Sequence, residues 1–165
     1  MQSRERKMKR NGLAMLALAV VVLVSGAVFA GDTVVKGKCV KVVDGDTLIV
    51  ECDKAKRTVE IDGIDAPELD QPWGKETRTF VKQMVGGEKV EIEVLEGDGD
   101  VVRARVRVNG IDMSEMLVGR GLAWVSEDGG DADLVDLGER AKKTPCGLWT
   151  DADPQAPWDF REARS

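Results

Sequence analysis

The 165-residue chain contains no histidine, no tyrosine and only three cysteines. The absence of histidine excludes a Ser-His-Asp triad, a histidine general base and any histidine metal ligand. The cysteines, Cys39, Cys52 and Cys146, are not spaced as zinc ligands are. Because their number is odd, at least one of them stays free or pairs elsewhere.

The first thirty residues have the order of a secretory signal. Residues 4–10 (RERKMKR) carry five cations and one acid, residues 13–24 form an unbroken apolar run, and small residues precede Gly31. This order predicts cleavage after Ala30 and export to the periplasm or the medium. An uncleaved membrane anchor over residues 13–30 is the alternative, since about 18 mostly apolar residues approach the length that spans a bilayer.

The predicted mature chain, residues 31–165, is strongly acidic. Residues 1–30 contribute a net charge of +4, so the whole-chain charge of −6 becomes −10 without them. This balance disfavours nucleic-acid binding through clustered Lys and Arg alone. It leaves open a metal that bridges acidic side chains to phosphate. The length of residues 31–165 suits one domain with one core.

Export also bears on two of the cysteines, Cys39 and Cys52, which fall on opposite arms of a predicted hairpin. An oxidising compartment would permit a disulfide between them. In the simplest strand register they are diagonal neighbours on one face, so a bridge needs a register slip or a bulge. A Cys39–Cys52 disulfide and a pair of buried apolar thiols therefore both remain open.

The hydrophobic pattern predicts an α+β chain with five strands and three helices. Strands are predicted at 33–43, 47–52, 57–64, 88–95 and 101–108, and helices at 75–85, 113–119 and 134–143, with a short extended piece at 122–125, loops at 65–74 and 126–133, and an irregular tail. Asp44-Gly45 predicts the turn of the first hairpin. Five strands with a helix between the third and fourth are what a small OB-type barrel requires, although the pattern leaves other α+β folds open.

Two acidic stretches stand where a predicted strand meets a turn, at residues 43–47 (VDGDT) and 64–68 (IDAPE). Adjacent strands would bring Asp46 and Asp65 together. Two carboxylates with a backbone carbonyl and waters form a hard-oxygen site that suits Ca²⁺ rather than zinc. Glu68 would then hold or deprotonate a metal-polarised water. Ordinary solvated turns explain the same residues, and the spacing alone leaves both interpretations open.

Five stretches taken together resemble the staphylococcal nuclease (thermonuclease) family. In order they read VVDGDTLIV, EIDGIDAPE, QPWGKET, NGIDMSEMLVGRGLAWV and GLWTDADPQAPWDF, over about residues 33–160. Each motif is weak alone, whereas five in order with suitable spacing are specific. The resemblance implies an OB-fold five-stranded β-barrel with three helices. It also implies Ca²⁺-dependent hydrolysis of phosphodiester bonds in DNA and RNA.

The acidic half of that family's site is present. By resemblance, Asp46 and Asp65 are the side-chain metal ligands, and Ala66 offers its backbone carbonyl. Asp44 resembles the turn aspartate beside the site, and Glu68 resembles the glutamate that handles the attacking water. The resemblance thus implies Ca²⁺ as cofactor and single-stranded DNA or RNA as substrate.

The cationic half departs from the family's pattern. The family's arginine on the third strand corresponds to Glu60, and its arginine at the start of the fifth strand corresponds to Val101. Arginines aimed at a phosphoryl group are worth roughly 10³–10⁵ in rate, and Glu60 sets a negative charge against an incoming phosphate. The family's substrate-facing tyrosines are also missing. Arg103 shares the strand face of Val101 and is the candidate substitute in substrate binding, with a solvated strand face as the alternative.

Three functions follow from this mixture of present and absent residues. The first is an exported Ca²⁺-dependent nuclease, weakened or inactivated by the replacements at positions 60 and 101. The second is a non-catalytic nuclease-like module that binds a metal or an exported partner. The third is an OB-fold binder of an oligosaccharide or a peptide, which rests on fold analogy alone.

Overall fold

The computed structural model describes residues 34–165. The strands are β1 Val34–Val42, β2 Thr47–Cys52, β3 Ala55–Ile61, β4 Ile64–Asp65, β5 Lys89–Glu96, β6 Val101–Val108, β7 Ile111–Asp112 and β8 Trp124–Val125. The helices are α1 Gly74–Val85, α2 Met113–Gly119, α3 Ala132–Lys143 and α4 Pro157–Glu162, with a 3₁₀ helix at Gly147–Thr150. The predicted signal, residues 1–30, lies outside the described residues. Between residues 34 and 165 no helix has the length and apolar character needed to cross a bilayer.

Five strands close a β-barrel in the order β3-β2-β1-β5-β6. Four of the five contacts between neighbours are antiparallel, and a parallel pairing of β3 with β6 closes the ring. Alternation along β6 shows why these segments become strands, since Val102, Ala104, Val106 and Val108 are all buried while the residues between them are not. The predicted α+β fold with a five-stranded OB-type barrel is therefore confirmed.

The helices cover the barrel with their apolar faces. Helix α1 buries Val81 and Val85, and α2 buries Leu117 and Val118 in the same continuous core. Helix α3 begins after Asp131, whose side chain accepts the N–H of Leu134 at 2.9 Å and so caps the helix. The three predicted helices are present, each beginning within two residues of its expected start.

Two predictions about element boundaries were wrong, and both errors concern segments beside the site. The strand expected over 57–64 is divided into β3 and β4, because Gly63 has a left-handed backbone with φ 79°. The tail expected to be irregular forms the 3₁₀ helix and α4. Proline at the first position of α4 is favourable, since its missing N–H would have no partner there in any case.

The cysteines of the first hairpin are free thiols. Cys39 faces Val50 across the β1–β2 ladder, and Cys52 lies opposite Ala55 on the other side of β2. Cys39 is fully buried, and Cys52 packs partly buried against the core. Of the two interpretations, the structure therefore contains free thiols, with Cys39 buried and Cys52 partly buried, and no Cys39–Cys52 disulfide. Burial raises the pKa of both thiols.

Candidate active site

The two acidic stretches meet at one cavity of about 360 Å³, called here the acidic cavity. The residues singled out from the sequence all line it, namely Asp44, Asp46, Asp65, Ala66, Glu68 and Arg103. Glu60 lines it as well. Val101 is 54% exposed on β6 and is not among the lining residues. Of the two positions where the family resemblance places arginines, only position 60 borders this cavity.

The first acidic loop is shaped by the side chain of Asp44. Its Oδ1 accepts the N–H of Thr47 at 2.8 Å and that of Asp46 at 3.2 Å. Neither Asp44 nor Gly45 has a positive φ, so the type I′ turn that this pair favours is not formed. Gly45 is required for close approach instead, since a Cβ there would lie 2.5 Å from the Cβ of Ala66.

Asp46 is tied directly to the second acidic loop. Its Oδ2 accepts the N–H of Ala66 at 2.6 Å, and its carbonyl accepts the N–H of Ile61 at 2.9 Å. Asp65 is held from the other side, because β4 pairs with β8 and places Asp65 opposite Trp124. The two-residue strands β4 and β8 are too short to give a clear periodic pattern in the sequence. Their pairing and the Asp46–Ala66 hydrogen bond together hold the two aspartates at one place.

The electrostatics of Asp46 are set by its burial among other carboxylates. Burial is the main cause that raises the pKa of Asp46 to about 7. The N–H of Ala66 acts in the opposite direction, and the negative charges of Asp44 and Asp65 raise the pKa again. A cation placed among these carboxylates would favour the ionised form of Asp46.

We expect this perturbed pKa to appear in the pH dependence of stability. The folded protein keeps a proton on Asp46 up to about pH 7, whereas the unfolded chain loses it near the ordinary pKa of 3.8. The stabilising contribution is therefore complete below pH 3.8 and is lost as the pH rises through 7. Relative to Asp46→Asn, the free energy of unfolding of the wild type should fall by up to about 1.4 kcal/mol per pH unit in that window.

Urea unfolding of both proteins in chelator, at half-unit steps from pH 4 to 8, measures this difference. Only the difference between the two proteins is interpreted, because groups that do not interact with Asp46 titrate equally in both. Parallel pH profiles would show that Asp46 titrates normally in the folded protein.

The loop that carries Glu68 is organised by Gln71, a residue that the sequence did not single out. Gln71 is 6% exposed, and its Oε1 accepts the N–H of Glu68 at 3.1 Å. Its Nε2 donates to the carbonyl of Gln155 at 2.7 Å, which joins the loop to the C-terminal tail. Gly74 permits the tight return of the chain, because a Cβ there would overlap the carbonyl oxygen of Glu68.

Arg161, from the C-terminal helix α4, lines the acidic cavity. The sequence did not single out this residue either. Arg161 Nη1 lies 3.0 Å from Asp65 Oδ1, and Arg161 Nη2 lies 2.7 Å from Asp65 Oδ2. Arg161 Nη1 also donates to Glu68 Oε1 at 2.9 Å. The pKa of Arg161 is raised chiefly by its hydrogen bonds to Asp65 and Glu68, so the guanidinium stays charged. This contact joins two of the predicted functional residues.

Arg103, the predicted substrate-binding residue, lies at the cavity wall but is held by acids. The parallel β3–β6 register places it directly beside Glu60. Its Nη2 lies 2.6 Å from Glu96 Oε1, and its Nε lies 3.3 Å from Asp62 Oδ1 without the alignment of a hydrogen bond. Arg103 is therefore on the face of β6 that borders the acidic cavity, but its charge is already compensated by Asp62 and Glu96.

Protein side chains alone do not complete a metal site in the described part of the chain. Between residues 34 and 165, no group of three or more His, Cys, Asp or Glu side chains is arranged to hold a metal ion. The predicted site has two carboxylate ligands, Asp46 and Asp65, and the remaining positions fall to a carbonyl and to waters.

A five-stranded OB-type barrel with two acidic loops and a glutamate at one cavity defines a nuclease-like domain. The family model described as "Staphylococcal nuclease homologue" matches residues 57–151. An uncharacterized endonuclease of Escherichia coli is 32% identical over 133 residues, which is 79% of this chain and 87% of the relative. A micrococcal nuclease of Shigella flexneri is 29% identical over 164 residues, 92% of each chain.

The similarity extends to plants over a shorter stretch. A staphylococcal-like nuclease of Arabidopsis thaliana, CAN1, is 31% identical over 115 residues, which is 65% of this chain and 34% of the relative. The family match and the bacterial relatives agree with the fold. The chain belongs to the staphylococcal nuclease family, and the family resemblance seen in its sequence is confirmed.

Proposed function

We propose that the protein is an exported, Ca²⁺-dependent nuclease that hydrolyses phosphodiester bonds in DNA and RNA at a lowered rate. The observation that carries the proposal is the convergence of Asp46, Asp65, Ala66 and Glu68 on one cavity. Family membership supplies the reaction class. Export rests on the signal-like order of residues 1–30.

The residues at the cavity fit a calcium ion. The carboxylates of Asp46 and Asp65 and the carbonyl of Ala66 are hard oxygen donors of the kind that Ca²⁺ prefers. The raised pKa of Asp46 reflects burial and mutual repulsion that a divalent cation would relieve. When bound, the ion would supply Lewis-acid stabilisation of charge on the phosphate oxygens.

Glu68 is the residue to which we assign holding or deprotonating the attacking water. Its side chain is 36% exposed, so solvent reaches the carboxylate. Its backbone N–H is held by a hydrogen bond to Gln71 Oε1. A carboxylate within hydrogen-bond reach of a water accepts its proton as the new bond to phosphorus forms. The proposed role of Glu68 is therefore that of a general base.

The lowered rate follows from the charges around this apparatus. Among the described residues that line the acidic cavity, six are acidic and two are arginines. Glu60 stands where the family resemblance places an arginine, and Arg103 beside it is paired with Asp62 and Glu96. An anionic substrate meets repulsion here, whereas the transition state requires positive donors.

A cleavage assay with single-stranded DNA and RNA tests the proposal. We expect slow, endonucleolytic cleavage by the purified protein in Ca²⁺ and none in chelator. Calorimetric titration with Ca²⁺ measures the metal site separately from catalysis, with Asp46→Asn as the binding-deficient control. Mass spectrometry of the exported protein checks whether its first residue is Gly31.

Each result bears on a different part of the proposal. Calcium binding without cleavage of either substrate would favour the non-catalytic module. Absence of calcium binding would remove the metal site altogether. Cleavage that persists in chelator would contradict the proposed dependence on Ca²⁺.

A further inference from the structure

The replacement of the family arginines raises the question of which cation meets the substrate phosphate. Two arginines line the acidic cavity among the described residues, Arg103 and Arg161. Arg103 is paired at 2.6 Å with Glu96, which is not a lining residue, and also with Asp62. Arg161 is paired with Asp65 and Glu68, which are themselves the proposed reacting groups. Its guanidinium therefore already lies where the reacting phosphate would have to arrive.

We propose that Arg161 is the phosphate-binding residue of this site, delivered by the C-terminal helix in place of the arginines absent at positions 60 and 101. This inference rests on the proposed nuclease function and goes beyond it by assigning a substrate contact. In the free protein the guanidinium is held by Asp65 and Glu68. In the complex it binds a non-bridging phosphate oxygen of the single-stranded substrate.

The exposure and chemistry of Arg161 suit this task. Its side chain is 49% exposed, whereas that of Asp65 beneath it is 16% exposed, so an approaching phosphate reaches the guanidinium first. The planar guanidinium donates two parallel N–H bonds, which match a phosphate as well as a carboxylate. Because its contacts with Asp65 are partly open to solvent, exchanging them for a phosphate carries a modest free-energy cost.

The segment that presents Arg161 is anchored to the body of the domain. Ala156 and Pro157 at the start of α4 are buried, and Trp158 packs edge-on against Trp124 at 5.6 Å between ring centroids. The Gln71–Gln155 hydrogen bond fixes the approach to α4 against the very loop that carries Glu68. The position of Arg161 is thus set by packing at both the tail and the loop.

The turn that follows α4 offers a matched control. Arg164, three residues further along, pairs with Asp70 and does not line the acidic cavity. Arg161→Gln and Arg164→Gln change the net charge equally, and each removes one ion-paired arginine from the C-terminal segment. A difference between them therefore reports on position in the cavity rather than on net charge.

The first measurement is binding of a fluorescent single-stranded oligonucleotide in Ca²⁺, in a Glu68→Gln background that suppresses cleavage. We expect the slope of log K against log salt to fall by about 0.7 in Arg161→Gln, the value for one lost contact to a single strand. Arg164→Gln should keep the wild-type slope. Arg161→Lys should restore the slope, since it restores the charge.

The second measurement is the cleavage rate, with Ca²⁺ affinity followed in parallel. With Glu68 intact, Arg161→Gln should cleave about 10²- to 10³-fold more slowly, the usual loss for one donor to a developing anion. Its Ca²⁺ affinity should equal or exceed that of the wild type, because the variant removes a cation that competes for Asp65.

The outcomes separate this inference from the proposed function. An unchanged salt slope in Arg161→Gln, equal losses in Arg164→Gln, or loss of Ca²⁺ binding in Arg161→Gln would each overturn the role of Arg161. Failure of the Glu68→Gln protein, with Arg161 intact, to bind the oligonucleotide would overturn it as well. If the wild type never cleaves, yet Arg161→Gln lowers the salt slope of binding as expected, the nuclease proposal is refuted and the phosphate contact of Arg161 stands.

Discussion

Replacing Glu60 by arginine should raise kcat/KM for cleavage of single-stranded DNA by about 10²- to 10³-fold. Glu60 lines the acidic cavity together with Asp65 and Glu68, so its charge opposes both the incoming phosphate and the charge that develops in the transition state. An arginine at this position removes the repulsion and adds a donor in the same step. The effect should be large because one substitution reverses the sign of a charge facing the reacting group.

The surroundings of Glu60 can accept the change. Its neighbour across the parallel ladder, Arg103, is already paired with Asp62 and Glu96, so a second arginine beside it does not face an uncompensated cation. The backbone of β3 is held on both sides by β2 and β6. We therefore expect the midpoint of thermal unfolding to change little, and a large fall would show that the strand pairing had been disturbed.

Glu88→Arg is the control for net charge. Glu88 is exposed in the turn between α1 and β5, outside the acidic cavity, and its replacement changes the protein charge by the same +2. A general gain in attraction for nucleic acid would raise kcat/KM equally in both variants. An increase confined to Glu60→Arg assigns the effect to the cavity, whereas equal increases or none would contradict it.

The barrel was predictable because its signals are local. Strands such as β6 alternate buried and exposed residues with a period of two, and α1 ends at a pair of glycines. The acids of the site were predictable for a related reason, since they lie at the ends of those strands. The pairing of β2 with β3, which are neighbours in sequence, then brings Asp46 close to the loop that carries Asp65.

The contacts made by the tail were not predictable in this way. Arg161 lies 96 residues from Asp65 in sequence, and Gln71 lies 84 residues from the Gln155 carbonyl that it binds. No short-range pattern encodes such pairs, because each depends on where an irregular tail packs. The one local sign was a proline ahead of Trp158, which favours the first turn of a helix. It indicates a helix without showing which arginine that helix presents.

The turn type expected at Asp44-Gly45 was predicted wrongly for another physical reason. The dipeptide favours a two-residue turn with left-handed backbone, yet Asp44 uses its side chain to bind the N–H groups of Asp46 and Thr47. Gly45 is needed because Ala66 lies against its Cα, not because of a positive φ. The same two residues thus form a longer loop whose purpose is to bring Asp46 against the second acidic loop.

Glu68→Gln should lower the rate of cleavage by about 10²- to 10⁴-fold, the usual contribution of a general base. Glutamine keeps the shape of the side chain and a carbonyl oxygen that can accept a hydrogen bond from Arg161. Arg161 also keeps its two hydrogen bonds to Asp65, at 2.7 and 3.0 Å. The Gln71 contact to the backbone of residue 68 is also unchanged, since it involves the N–H alone. The variant therefore removes the proton acceptor from a site that is otherwise assembled.

The matched control is Asp70→Asn, two residues along the same loop. Asp70 is exposed and pairs with Arg164 outside the acidic cavity, so its loss should leave the cleavage rate within about twofold, as for an exposed ion pair. Calorimetry should give Glu68→Gln the same Ca²⁺ affinity as the wild type, because the proposed ligands are Asp46, Asp65 and Ala66. Loss of Ca²⁺ binding together with activity would instead make Glu68 a metal ligand. Undiminished activity of Glu68→Gln would show that Glu68 is not the general base and would leave the acidic cavity as a binding site.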